Sequence, residues 1–190
     1  MSHLFEMAEH KGWHSRGYLP HFDSAETTRF ITFRLADSLP RAVAEELAKH
    51  SDSLARTDER LDECLGQCWL RKPEIAKIVQ DALLHFDGGR YRLLGWCIMP
   101  NHVHAVAEMR EGHGLGTVVQ AWKSFTAKEA NRALGRSGPF WHKDYFDRFI
   151  RDGAHLERTL EYVDVNPVKA GLANRPEEWG FSSARFRKDS

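Results

Sequence analysis

A chain of 190 residues is long enough to bury one sizeable core, and 42% apolar content with six Trp and eleven Phe excludes a disordered chain. The 27 Lys and Arg balance 27 Asp and Glu, so net charge neither suggests nucleic acid nor excludes it, because a basic patch can share a molecule with acidic helices. An odd three cysteines and a polar N-terminus lead one to expect a reducing cytoplasm, and no apolar run approaches the roughly 18 residues of a membrane span.

Residues 1–24 lack periodicity and read as an N-terminal arm. The β-branched and aromatic run 27–35 predicts a first strand, with Phe30, Thr32 and Arg34 on one face and Ile31, Phe33 and Leu35 on the other. Ser38 and Pro40 open a helix whose buried stripe is Val43, Ala44 and Leu47. Residues 51–71 are charged, with helical spacing at Leu54, Leu61, Leu65 and Cys68. From Pro73, the residues Ile75, Ile78, Val79, Ala82, Leu83 and Phe86 recur at helical spacing until Asp87-Gly88-Gly89 stops the helix. Residues 90–99 and 102–109 predict an antiparallel hairpin across Pro100-Asn101.

A long helix follows Gly114. Its apolar face is Leu115, Val118, Val119, Trp122, Phe125, Thr126, Ala130 and Leu134, and its other positions hold Lys123, Lys128 and Arg132. Residues 139–150 are aromatic and partly alternating, a fourth strand. Asp152-Gly153 turns into a last helix, 155–165, which Asn166-Pro167 ends, because proline cannot continue a helix and displaces the residue before it from the α region. The order matches an α+β, ferredoxin-like split β-α-β plan: a four-stranded antiparallel sheet with helices on one face, the last helix being additional to it.

The candidate chemistry starts at His102-Val103-His104. Residues i and i+2 of a strand share a face, so the two imidazoles stand side by side. Such a pair alone is more often structural than ligating. The last helix weighs on the other side: Tyr162 and Asn166 at i and i+4 stand one above the other. An Asn166 oxygen added to two imidazoles makes a ligand set with open positions, which suits Mg2+ or Mn2+ holding a phosphate better than a closed structural Zn2+. Tyr145 is the rival nucleophile, in a run where packing is the default, and Tyr18 and Tyr91 read as structural. Cys64 and Cys68 read as buried thiols on a helix stripe. Arg148 and Arg151 either grip phosphates or pair with Asp147 or Asp152. Lys123 and Lys128 read as a solvated helix face, raised to DNA contacts only if a cationic track is required. Trp122 and Trp141 read as core, and Trp179 as a clamp on the C-terminal tail.

Trp96-Cys97-Ile98-Met99-Pro100-Asn101-His102-Val103-His104 resembles the HUH motif (His-hydrophobic-His) of the single-tyrosine HUH transposases. Glu161-Tyr162-Val163-Asp164-Val165-Asn166-Pro167-Val168-Lys169-Ala170-Gly171-Leu172 resembles their catalytic-tyrosine segment. Leu19-Pro20-His21-Phe22-Asp23, Tyr145-Phe146-Asp147-Arg148-Phe149-Ile150-Arg151-Asp152 and Trp179-Gly180-Phe181-Ser182-Ser183-Ala184-Arg185 point to the branch called REP-associated tyrosine transposases.

The resemblance covers roughly residues 13–186 and implies a catalytic domain over 25–172 with the tail 173–190 packed on or near it. It implies a single-stranded DNA endonuclease and strand transferase in a bacterial cytoplasm, with Tyr162 forming a 5′-phosphotyrosine. His102, His104 and Asn166 would hold Mg2+ or Mn2+. The substrate would be a palindrome folded as a hairpin, with Lys123, Lys128, Arg148, Arg151 and Lys169 as candidate DNA contacts. The branch implies a monomer using its own tyrosine; the wider class includes dimers that exchange the tyrosine helix. The residues alone leave open a catalytically silent hairpin-DNA-binding regulator and a small-molecule metal hydrolase.

Overall fold

Four antiparallel strands form the central sheet in a computed structural model that describes residues 12–15, 20–23, 27–40, 43 and 53–187, with side chains described at 27–40, 43 and 57–187. They are β3 (Thr28–Arg34), β4 (Tyr91–Ile98), β5 (His102–Met109) and β6 (Phe146–Phe149), in the order β4-β5-β3-β6. That is the ferredoxin-like order. Ahead of them, β1 (Gly12–Ser15) and β2 (Pro20–Asp23) pair as a two-stranded ribbon, where the sequence reads an arm without periodicity.

Register decides which side chains share a face. Phe30 lies opposite Val106, Thr32 opposite His104 and Arg34 opposite His102. Paired residues of antiparallel strands point the same way, so Phe30, Thr32, His102, His104 and Val106 line one face. Ile31, Phe33, Val103 and Ala105 line the other. Helices α2 (Pro73–His85) and α3 (Leu115–Ala133) cover that second face. Ile75, Val79, Leu83, Val118, Val119 and Trp122 complete its core. Helix α4 (Gly153–Lys169) covers the histidine face, where Val163 and Ile150 join Phe30, Cys97, Met99 and Val106 in a second, smaller core.

The outer edge of β4 is covered by the chain's own C-terminal segment. The Ile98 N–H donates to the Phe181 carbonyl at 2.9 Å and the Trp96 N–H to the Ser183 hydroxyl at 2.9 Å. The Trp179 indole N–H donates to the Ile98 carbonyl at 3.0 Å. An open strand edge invites pairing with other chains, and this segment closes it. Among the described residues no helix is long and apolar enough to cross a membrane.

Several local readings are corrected. Helix α4 does not stop at Asn166; it runs through Pro167 to Lys169. Proline there forfeits only the bond to the Val163 carbonyl. Burial of Val163, Asn166 and Pro167 offsets that loss, and the helix ends within a turn at Lys169, followed by Gly171, whose φ of +67° suits a left-handed C-terminal cap. The fourth strand is only Phe146–Phe149, with Trp141 making a lone bridge to Leu35. Phe125, placed on the apolar face of α3, is 53% exposed.

Residues 51–71 hold a helix α1 (Ser53–Asp62) and a short 3-10 turn, Trp69–Arg71, separated by a turn region. Cys64 and Cys68 lie in that region with φ of +56° and +47°, so they are turn residues and not a helix stripe. Of the helix expected from Ser38, residues 41–42 and 44–50, including Ala44 and Leu47, lie outside those described. The Ser38 hydroxyl donates backward to the Leu35 carbonyl at 2.8 Å.

A chain ending at Leu172 should lose the cover on β4. Hydrogen exchange at the Ile98 amide should then accelerate by about a hundredfold or more. An unchanged rate would show that the tail does not protect that edge.

Candidate active site

His102 and His104 are both fully buried, and their Nε2 atoms face each other across 3.1 Å. Burial keeps them uncharged. His104 is pushed down to about 3, and His102 falls well below the ordinary imidazole range through burial and then the neighbouring His104. A neutral imidazole is the form that ligates metals.

Their other ring nitrogens are held from behind. Asn101 spends its Nδ2 on the carbonyls of Leu61 at 2.9 Å and Leu65 at 3.5 Å. Its Oδ1 therefore faces His102 Nδ1, at 2.8 Å, and that nitrogen must carry the proton. The lone pair of His102 is thus fixed on Nε2. His104 Nδ1 meets the Thr32 hydroxyl at 2.8 Å. A hydroxyl both donates and accepts, so Thr32 can serve either tautomer. With Nε2–H, His104 donates to His102; with Nδ1–H, both Nε2 lone pairs turn to a common point.

Helix α4 lies over this pair in the same chain. The Tyr162 ring is 5.6 Å from the His104 ring and 6.0 Å from Phe30, which itself stacks on His104 at 5.4 Å. One turn on stands Asn166, whose Oδ1 is buried without a hydrogen-bond partner. The Tyr162 hydroxyl donates to Asp58 Oδ2 of α1 at 2.6 Å. Burial first, and then the Asp58 carboxylate, raises the phenol above its ordinary value.

Burial pushes the Asp58 carboxyl up to about 7, against the Tyr162 hydrogen bond and the Arg148 charge. Asp62, one turn further on α1, rises to about 6 through burial and the Asp58 charge, opposed by Lys169. The Lys169 ammonium sits 5.2 Å from the centre of the Tyr162 ring.

Two imidazole nitrogens that share one ion about 2.1 Å away at right angles lie about 3.0 Å apart. The observed 3.1 Å and the unpartnered Asn166 oxygen therefore fit a divalent cation. Among the described residues no group of three or more His, Cys, Asp and Glu side chains offers a rival metal site.

The remaining candidates separate by position. Arg148 and Lys169 are exposed, Lys169 beside the tyrosine ring and Arg148 acting on Asp58, the tyrosine's hydrogen-bond partner; Arg151 is exposed just before α4. Asp147 pairs with Arg29 at 3.5 Å, and Asp152 caps α4 by accepting the His155 N–H at 2.7 Å. Lys128 is exposed on α3, in the helix layer on the far side of the sheet. Lys123 is no solvated cation: it is 8% exposed and donates to the Lys143 carbonyl at 2.7 Å. Tyr145 packs into the core on that far side, away from the histidines, and Tyr91 is held there between the Leu83 carbonyl and the Trp122 indole.

Sequence reasoning missed Asn101 and Asp58 and gave Thr32 no role. Thr32 shares the parity of Phe30 on β3, a usable signal once the register to β5 is known. Asn101 reads as a turn residue, and Asp58 lies 104 positions from Tyr162 with no local mark.

A split β-α-β sheet with a His-x-His strand under a tyrosine helix defines the class, and the comparisons agree. Residues 71–166 match the family described as Transposase IS200 like, and the chain belongs to that family. It is 28% identical over 103 residues to a Haemophilus influenzae protein assigned to the REP-associated tyrosine transposases, covering 49% of this chain and 57% of that one. It is 24% identical over 99 residues to the Escherichia coli REP-associated tyrosine transposase, covering 52% and 56%. These matches span little more than half the length of either relative. A solved REP-associated tyrosine transposase bound to a REP hairpin superposes with a TM-score of 0.54 at 18% identity, over 87% of this chain and 81% of that one; the likeness establishes the fold.

The Asp58 carboxyl, raised to about 7 from the ordinary 3.8, lends stability that is complete below the lower value and is lost as pH rises through the higher. Asp58→Asn never carries the charge. Relative to wild type it should gain up to about 4 kcal/mol between pH 4 and pH 8, read from urea unfolding at both. A pH-independent difference would contradict the burial argument.

Proposed function

We propose that this chain is a metal-dependent single-stranded DNA endonuclease and strand transferase that acts on hairpin DNA through Tyr162. One observation carries the reading: within a single chain, Tyr162 lies over the buried histidine pair with the unpartnered Asn166 oxygen one helical turn away. The hairpin partner is suggested by the relative solved with a REP hairpin. The cis placement of the tyrosine supports a monomer.

His102 Nε2, His104 Nε2 and Asn166 Oδ1 would hold Mg2+ or Mn2+, which when bound draws charge off a phosphate. Asn101 and Thr32 keep the imidazoles aimed. Arg148 and Lys169 would take flanking phosphates, and the Lys169 ammonium beside the ring favours negative charge on the phenol oxygen. Tyr162 attacks the phosphorus and forms a 5′-phosphotyrosine, leaving a 3′-hydroxyl on the other fragment. Because the phosphoester energy is conserved in that link, a second 3′-hydroxyl reverses the step without ATP.

Incubation of the chain and Mn2+ with a 5′-labelled or 3′-labelled hairpin oligonucleotide should leave a denaturation-resistant adduct carrying the 3′ label. Tyr162→Phe or chelation by EDTA should abolish it while hairpin binding by Tyr162→Phe persists. Asn101→Ala should raise the Mn2+ concentration for half-maximal adduct by roughly 10- to 100-fold. Tight binding without any adduct would make the chain a hairpin-binding regulator. An adduct that survives Tyr162→Phe but is lost in Tyr145→Phe would move the nucleophile.

A further inference from the structure

Asp58 is hydrogen-bonded to the oxygen that the proposed chemistry makes the nucleophile. Its Oδ2 accepts from the Tyr162 hydroxyl at 2.6 Å, the residue is 4% exposed, and its Oδ1 is buried without a hydrogen-bond partner. Holding a tyrosine in place does not require this. Tyr91 in the same chain gives its proton to a backbone carbonyl, Leu83 O, at 2.6 Å. A buried carboxylate with an unsatisfied oxygen is costly. What it offers that a carbonyl does not is a site that can accept a proton.

We infer that Asp58 is the proton acceptor for Tyr162, an assignment that rests on the phosphotyrosine reading above. As the phenol oxygen attacks, the Tyr162 O–H bond breaks and its proton passes to Asp58 Oδ2. The new bond joins the Tyr162 oxygen to phosphorus. The P–O3′ bond breaks, its electron pair leaves with O3′, and O3′ takes a proton from water. In rejoining, an incoming 3′-hydroxyl attacks the phosphotyrosine and releases its proton to water. The tyrosine–phosphorus bond breaks, and the phenol oxygen recovers its proton from Asp58.

The surroundings suit that role. A general base works best when its proton affinity lies near the working pH, and burial places Asp58 there, at about 7. The charged groups that act on it are Arg148 on β6 and Asp62 on α1, and Asp62 is in turn influenced by Lys169 on α4 and by Glu59. Arg148 counters the burial directly, which keeps part of the population ionised and ready. Asp58 is also fixed by the element that fixes His102, because the Leu61 carbonyl on the next turn of α1 holds Asn101. The nucleophile's base and the histidine's orienting group are therefore tied to one helix.

Asp58→Asn tests this cleanly, since the amide oxygen still accepts the Tyr162 hydrogen bond but cannot take the proton. Single-turnover adduct formation should be followed at saturating labelled hairpin and Mn2+, with hairpin affinity measured separately. The rate should fall by about 10²- to 10⁴-fold with affinity equal to wild type or tighter, because a negative charge near the DNA is gone. The wild-type rate should rise with pH to a plateau, and that inflection should be missing from Asp58→Asn. Asp58→Glu, which restores a carboxylate, should recover part of the rate. An Asp58→Asn rate within about threefold of wild type, or an Asp58→Glu no faster than Asp58→Asn, would overturn the assignment and leave the nucleophile standing. A wild-type chain that forms no adduct would overturn the phosphotyrosine reading and this inference with it.

Discussion

His102 and His104 point their Nε2 atoms at each other across 3.1 Å in an interior that leaves neither side chain exposed. Much of the fold can be understood as what this contact requires. Strand alternation puts both rings on one face. The register of β5 on β3 brings Thr32 behind His104, and the turn into β5 brings Asn101 behind His102. Because Asn101 leaves His102 a lone pair and Thr32 serves either tautomer of His104, the pair can close a hydrogen bond between its Nε2 atoms or turn both lone pairs to a common point. The burial that keeps both rings neutral serves both states.

Helix α1 ties the two halves of the site together. Its C-terminal end binds Asn101 through the Leu61 carbonyl, joined by the Leu65 carbonyl of the turn that follows, and its Asp58 binds Tyr162. The sheet is thus unequal in its two faces. One face is an apolar core with α2 and α3. The other mixes Phe30, Cys97, Met99 and Val106 with imidazoles, an amide and carboxylates. Buried polar groups with unsatisfied atoms are expensive, and three gather on the histidine face: Asp58 Oδ1, Asp62 Oδ1 and Asn166 Oδ1 have no hydrogen-bond partner. The larger apolar face supplies the stability that tolerates them.

Periodicity made the sheet, the hairpin and helices α2 and α3 readable, because each carries a long, regular apolar pattern. It placed His102 and His104 on one face and Tyr162 and Asn166 on one helix for the same reason. It misjudged the end of α4, where Pro167 breaks a local rule that burial of its neighbours overrides. It misread Lys123, whose ammonium is used inside the fold by carbonyls 20 residues on. It could not find Asp58 or the use made of Asn101: both depend on α1 crossing to elements distant in sequence, and no spacing encodes that. The family resemblance supplied the expected roles of the site residues, while the geometry supplied the groups that orient them.

If the two imidazoles form one metal centre, Mn2+ bound to the protein reports on it directly. Electron spin-echo measurements on Mn2+-loaded protein should detect two histidine nitrogens, falling to one in His104→Ala. A bound Mn2+ with no nitrogen coupling in the wild type would place the ion elsewhere and contradict the account.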